Sequence, residues 1–186
     1  MPLDWDYFRH ISTGSVTVVY GPTNGPIGGH TSTSSGVGYC TPFLAARGGT
    51  ITTARIFPTV QASGDFVRGA IYARASDANI LPAALLADVG CFSVSSLLVM
   101  VNSLAIPVSS GALYWFVTMM GNLAGSGIHG TAWCWPVLGA EPVFMSTAAG
   151  VFTVTSIGPL WPSPIPLASF IQTANQVPTF WIEIGS

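Results

Sequence analysis

The stretch that decides the fold runs from Asp65 to Phe116. It opens Asp65-Phe66-Val67-Arg68-Gly69-Ala70-Ile71-Tyr72-Ala73-Arg74, passes through Pro82-Ala83-Ala84-Leu85-Leu86-Ala87-Asp88, and closes Leu104-Ala105-Ile106-Pro107-Val108-Ser109-Ser110-Gly111-Ala112-Leu113-Tyr114-Trp115-Phe116. In the first segment Val67, Gly69, Ile71 and Ala73 share one face of a strand, small and apolar enough for a core. Phe66, Arg68, Ala70, Tyr72 and Arg74 share the other, where arginine stems beside aromatics suit a half-covered surface. Pro82 is acceptable at the start of a helical turn. The middle segment is therefore expected to form a packed loop with a turn of helix over Ala83–Leu86. Leu85 and Leu86 would plug one end of a sandwich, contributing about 3–6 kcal/mol by transfer estimates. The last segment reads as a hairpin about the Ser109-Ser110-Gly111 turn. Its second strand has Leu113, Trp115, Val117 and Met119 on one face and Ala112, Tyr114, Phe116, Thr118 and Met120 on the other. A strand apolar on both faces is central and covered, by its own chain or by a neighbouring subunit.

Outward from this stretch, β patterning continues. Thr50, Thr52, Ala54 and Ile56 alternate with Ile51, Thr53, Arg55 and Phe57 until Pro58 ends the run. Gln61 to Asp65 is a turn cluster, and Cys91 to Met100 reads as a strand. Asn122 to Gly130 reads as a glycine-rich loop. Val143-Phe144-Met145, Val151-Phe152-Thr153-Val154, Phe170-Ile171-Gln172 and Thr179-Phe180-Trp181-Ile182-Glu183-Ile184 are further short strands, and the prolines of 159–166 resist regular structure. At the other end, Val16-Thr17-Val18-Val19-Tyr20 is β-prone. Residues 21–38 are rich in Gly, Ser, Thr and Pro and have little apolar surface to offset their ordering entropy. Residues 1–40 are read as an extended N-terminal arm and 41–186 as a β-sandwich domain; an edge strand followed by a surface loop is the alternative for the arm. No helix longer than two turns and no tandem repeat is expected. The fold class is all-β, a jelly-roll-like antiparallel sandwich.

Composition narrows the functional classes. Only 6% of the 186 residues are charged, against about 25% in an ordinary globular domain. There is no lysine; Arg9, Arg47, Arg55, Arg68 and Arg74 are the only fixed positive charges. Between Asp88 and Glu141 the only ionisable groups are Cys91, Tyr114, His129 and Cys134. A small soluble monomer normally carries a mixed charged surface. Its near absence implies a surface covered by partners or a place in a membrane. A spanning helix needs about 20 mostly apolar residues, and the best window, Leu97 to Gly121, is interrupted by Asn102, Ser103, Pro107, Ser109, Ser110 and Gly111, so no membrane association is expected. The opening Met1-Pro2-Leu3-Asp4-Trp5-Asp6 is acidic and has no apolar core, so no signal peptide is expected. A net charge of −2 argues against a nucleic-acid partner, which calls for clustered Lys and Arg. Cys40, Cys91 and Cys134 have no CxxC spacing and are expected to be reduced, mostly buried thiols.

The strand Val67-Arg68-Gly69-Ala70-Ile71-Tyr72, the loop Pro82 to Asp88, and the hairpin with Gly111-Ala112-Leu113-Tyr114-Trp115 follow one another in an order that resembles a β-sandwich module of tailed-bacteriophage virion proteins. That family includes capsid-decoration, head-fibre and tail-fibre proteins. The resemblance spans about residues 48–120 and the last strand. It departs where the family has leucine then glycine before Ile-Tyr, here Gly69 and Ala70, and where the family's loop glycine is Ala83. The resemblance implies a non-enzymatic virion protein, often a homotrimer, assembled in the bacterial host cytoplasm and bound to the major capsid protein or other virion subunits. It implies no cofactor and no catalytic residues.

Two surfaces are candidates for binding. Trp5, Tyr7 and Phe8 would anchor an arm on a neighbouring subunit, most simply on a capsid; ordinary packing beneath the sandwich is the plainer reading. Trp133, Trp135 and Trp161 would stack on sugar faces if the protein were a tail fibre or carbohydrate-binding adsorption protein, buried tryptophan being the plainer reading. An enzyme is not expected. A glycosidase needs two carboxyl groups about 5–9 Å apart, and Asp65, Asp77, Asp88, Glu141 and Glu183 are scattered. His10, His30 and His129 are present, but Gly-x-Ser-x-Gly is not, and His129 reads as a solitary loop histidine.

Overall fold

The computed structural model describes residues 10–20, 27–31, 38–45, 47–57, 65–76, 81–94, 99–101, 103–121, 128–131, 151–154, 161, 163–164, 170–173, 177–178 and 180–186. Among them the protein is all-β, and every strand pairing is antiparallel. In chain order the strands are β1 (His10–Thr13), β2 (Val16–Tyr20), β3 (Ile27–Thr31), β4 (Gly38–Leu44), β5 (Gly49–Ile56), β6 (Phe66–Arg74), β7 (Pro82–Ser93) and β8 (Val99–Val101). They continue with β9 (Ile106–Val108), β10 (Leu113–Gly121), β11 (Ile128–Thr131), β12 (Val151–Val154), β13 (Phe170–Thr173), β14 (Val177–Pro178) and β15 (Phe180–Gly185). One sheet has the order β1-β2-β15-β5-β8, with β9 also on β5; a second has β13-β12-β4-β10-β6-β7; a third is β14-β11-β3. No helix among the described residues is long and apolar enough to cross a membrane.

The two large sheets share one core. From the first come Ile51, Ala54, Ile56, Phe180, Ile182 and Ile184; from the second, Phe43, Val67, Ile71 and Phe116. Phe180 packs its ring 5.8 Å from Phe43 and 5.2 Å from Phe116, so three aromatics knit the sheets together. The last strand follows its sequence pattern closely: Phe180, Ile182 and Ile184 are buried, while Trp181 and Glu183 point to the far face.

Residues 10–20, within the segment assigned to the arm, form a hairpin whose second strand is hydrogen-bonded along β15. Gly14, at φ 57°, supplies the positive φ that a two-residue hairpin turn needs at its first central position.

Four local expectations are corrected. Pro82–Leu86 is not helical: it begins the 12-residue strand β7. Alanine and leucine favour helix when alone, but β6 offers a full ladder of partners, and that tertiary pairing overrides propensity. On a strand, adjacent side chains face opposite ways. Leu85 is therefore half-buried while Leu86 is 42% exposed, and the two do not form a joint plug. The strand expected over Cys91–Met100 is divided, β7 ending at Ser93 in the second sheet and β8 starting at Val99 in the first. The Leu104–Phe116 hairpin is instead a corner between sheets: β9 pairs with β5, and β10 pairs with β4 and β6. The turn itself is where the sequence places it, with Gly111 at φ 73° and Ala112 N donating to Ser109 O at 3.2 Å.

The fourth correction concerns β5. Simple alternation groups Ala54 and Ile56 with Thr50 and Thr52, yet the residues that enter the inter-sheet core are Ile51, Ala54 and Ile56. The register between β15 and β5 shifts at Glu183/Ile184, so Thr52 is an extra residue and the inward phase changes by one. Its carbonyl is not left bare: Leu104 N donates to Thr52 O at 3.0 Å. Gly49 is required beside this point, because a Cβ there would lie 2.1 Å from Gly185 O of the neighbouring strand.

Candidate interaction surfaces

Register alone fixes what the outer face of the second sheet carries, because opposed residues in an antiparallel ladder share a face. Across β4, β10, β6 and β7, three successive rows form. They are Pro42-Trp115-Tyr72-Leu85, Cys40-Val117-Ala70-Asp88, and Gly38-Met119-Arg68-Cys91. Cys40, Ala70, Tyr72, Trp115 and Val117 are fully buried, although they point away from the inter-sheet core. β10 is thus central and covered on both faces, as its sequence requires. Among the described residues the cover comes from the same chain: Leu81 and Trp161 complete this second cluster.

Trp161 is fastened by polar contacts. Its indole N–H donates to Asp88 Oδ1 at 3.1 Å, and the Arg68 guanidinium lies 5.0 Å from the ring centroid. Arg68 Nη2 donates to Asp88 Oδ2 at 3.3 Å, and Gly90 N donates to Asp88 Oδ1 at 2.9 Å. Asp88 is therefore the hub that ties an arginine, a tryptophan and a backbone amide together. Beneath it, burial pushes the Tyr72 phenol well above its ordinary range, with the Asp88 charge adding to the effect. Burial alone pushes up the Cys40 thiol. Both groups stay protonated at neutral pH and belong to packing.

β7 is the edge strand of this sheet, and two of its amides are turned to side-chain acceptors: Leu85 N to Ser163 Oγ at 3.2 Å and Gly90 N to Asp88. Side-chain capping of this kind blunts an edge that would otherwise template pairing with another strand.

The outer face of the first sheet repeats the same chemistry. Arg55 and Trp181 are cross-strand partners, and the guanidinium lies 4.2 Å from the indole centroid. Arg55 Nη2 also donates to Glu183 Oε1 at 2.7 Å. Arginine suits both places because its planar guanidinium can stack on a ring and still donate in its own plane.

The candidates from sequence fall as follows. Trp5, Tyr7, Phe8, Trp133 and Trp135 lie outside the described residues. Trp161 is 6% exposed, sits in the second cluster and has its N–H committed to Asp88. Cys40 is buried as expected, Cys91 is exposed, contrary to expectation, because it lies on the solvent side of an edge strand, and Cys134 lies outside the described residues. His129 is not in a loop but in β11, opposite His30 of β3. Among the described residues no group of three or more His, Cys, Asp and Glu is placed to hold a metal. Sequence reasoning missed the roles of Asp88 and Trp161, and no local signal pairs them, since their contact spans 73 residues of chain. No protein-family model matches the sequence, and no curated protein matches it significantly.

Proposed function

We propose that this chain is a non-enzymatic structural protein of a tailed-bacteriophage virion, a capsid decoration protein of the cement or head-fibre type. In this reading its sandwich is of jelly-roll type, it assembles as a homotrimer, and it binds the major capsid protein. The observation that carries the reading is the economy of charge. The chain has five arginines, no lysine and seven acids in 186 residues. Of these, Arg55 and Glu183 pair with each other, as do Arg68 and Asp88. Few charges are left to keep copies apart in solution, which suits a surface spent on contacts with sister subunits. In the same reading Trp5, Tyr7 and Phe8, which precede the first strand, anchor the protein on its neighbour.

Sedimentation equilibrium of the purified chain, followed by co-sedimentation with decoration-free capsids, tests this. A discrete trimer that pellets with capsids is expected, and removal of residues 1–9 is expected to abolish pelleting while leaving the far-ultraviolet β signal unchanged. A monodisperse monomer that ignores capsids overturns the proposal.

A further inference from the structure

Trp161 and Ser163 belong to the connection that leaves β12 after Val154 and enters β13 at Phe170. These two strands are hydrogen-bonded neighbours at one edge of the second sheet. Yet both residues are held at the opposite edge, on β7: Trp161 by Asp88 and Ser163 by the amide of Leu85. The strand order places five strand spacings between β7 and β13, about 24 Å across the sheet. The two ends also differ in height. Leu85 is in the row of Pro42, while Phe170 is in that of Gly38, which adds about 13 Å along the strands. Phe170 follows Ser163 by only seven residues, whose fully extended reach is at most about 23–25 Å. Within one copy the returning chain therefore has no slack. A second copy with its β7 edge beside β13 brings an identical pocket within two strand spacings of Phe170, about 10 Å.

The strap also has the anatomy of an interface anchor. Trp161 is 6% exposed and shares a cluster with Tyr72, Leu81 and Trp115, whereas Ser163 and Pro164 are exposed. One aromatic side chain thus enters a pocket with a charged rim, Asp88 and Arg68, as hot-spot residues do. Pro159, Pro162, Pro164 and Pro166 restrict the backbone around it, so little freedom is lost on docking. We propose that this strap is exchanged between copies in the assembled protein: Trp161 of one copy fills the Asp88–Arg68 pocket of the next. The contacts are the ones already described, and only the copy that supplies them changes. The donor edge, β13, differs from the acceptor edge, β7, so the contact is head-to-tail and closes into a ring such as a trimer. Short connections without slack favour such swapping. The inference rests on the homo-oligomer of the proposed function and does not depend on the capsid.

The test compares the full chain with its Trp161→Ala variant by sedimentation velocity, using a synthetic peptide of residues 158–167 as the probe. The unaltered chain is expected to sediment as an oligomer and Trp161→Ala as a monomer. The vacated pocket of Trp161→Ala is expected to bind the labelled peptide, and the same peptide carrying Trp161→Ala at least about 10-fold more weakly, since an aromatic anchor carries most of such a contact. A second measurement needs no variant to fold. Excess peptide added to the unaltered chain is expected to convert oligomer to monomer, and the substituted peptide to leave it intact. An oligomer that survives both the peptide and the Trp161→Ala change overturns the exchange while leaving the homo-oligomer standing. Failure of the peptide to bind folded Trp161→Ala also overturns it. A chain that is monomeric from the outset overturns the exchange and the homo-oligomer together.

Discussion

The second sheet has two buried faces, and they are closed by different means. Its inner face is sealed by another sheet: Phe43 and Phe116 meet Phe180 across the sandwich. Among the described residues, its outer face is covered from outside the strands by Leu81 and Trp161, with Trp161 fastened through Asp88 and Arg68. The apolar inner face holds the poorer polar bonding. Thr41 Oγ1 and Thr118 Oγ1 are buried there without a hydrogen-bond partner. On the outer face, the indole N–H of Trp161 and the carboxylate of Asp88 are bonded to each other and to Arg68 and Gly90. A sheet-on-sheet interface can carry an unpaired hydroxyl because its many contacts hold it closed. A lid of few residues has to be fixed by directional bonds.

Neighbouring residues on β10 put this difference to its strongest test. Phe116 points into the inter-sheet core and Trp115 into the outer cluster, and both are 0% exposed. If the outer cluster is a true core, Trp115→Ala and Phe116→Ala will each cost about 3–5 kcal/mol in denaturant unfolding. A Trp115→Ala loss below about 1 kcal/mol, the scale of surface substitutions, would mean that the outer face is merely shielded.

Trp161 comes next in size. Trp161→Ala removes the lid, yet water can follow it in, so the expected loss is near the lower end of the range for large-to-small changes, about 2–3 kcal/mol. Trp161→Phe keeps an aromatic surface and removes only the N–H donated to Asp88. Asp88 retains Arg68, Gly90 and partial solvent access, so a loss of about 1 kcal/mol is expected. Equal losses in the two variants would locate the whole fastening in the hydrogen bond and none in the packing.

The two faces also differ in how far the sequence discloses them. The apolar character of both sides of β10 predicts a central, covered strand, because period-two patterning reports directly on exposure. The alternation of Phe180, Ile182 and Ile184 discloses the last strand for the same reason. The lid is not disclosed. Trp161 lies between prolines in a segment without periodicity, and its partner Asp88 is read with a supposed helical turn. The Thr52 bulge is hidden too, since a single extra residue is fixed by the partner strand and leaves no composition signal. The His30–His129 rung escapes because each histidine lies in a glycine-rich stretch that looks like loop until the two strands are paired.

The smallest expected effect runs in the opposite direction and probes the inner face. Thr118 is opposite Tyr39, Thr41 is opposite Phe116, and both threonines are 1% exposed. A buried hydroxyl without a partner forfeits its hydration and receives nothing in return. Valine has nearly the same shape, keeps the β-branching that suits a strand, and carries no group to desolvate. Thr118→Val is therefore expected to stabilise the protein by about 1 kcal/mol, with Thr41→Val behaving alike. The two positions are diagonal neighbours, so the double variant tests additivity: gains that add point to separate unpaired hydroxyls. A loss of stability in Thr118→Val would show that its hydroxyl does find an acceptor in solution, and the contrast between a loosely bonded inner face and a tightly bonded outer one would fall with it.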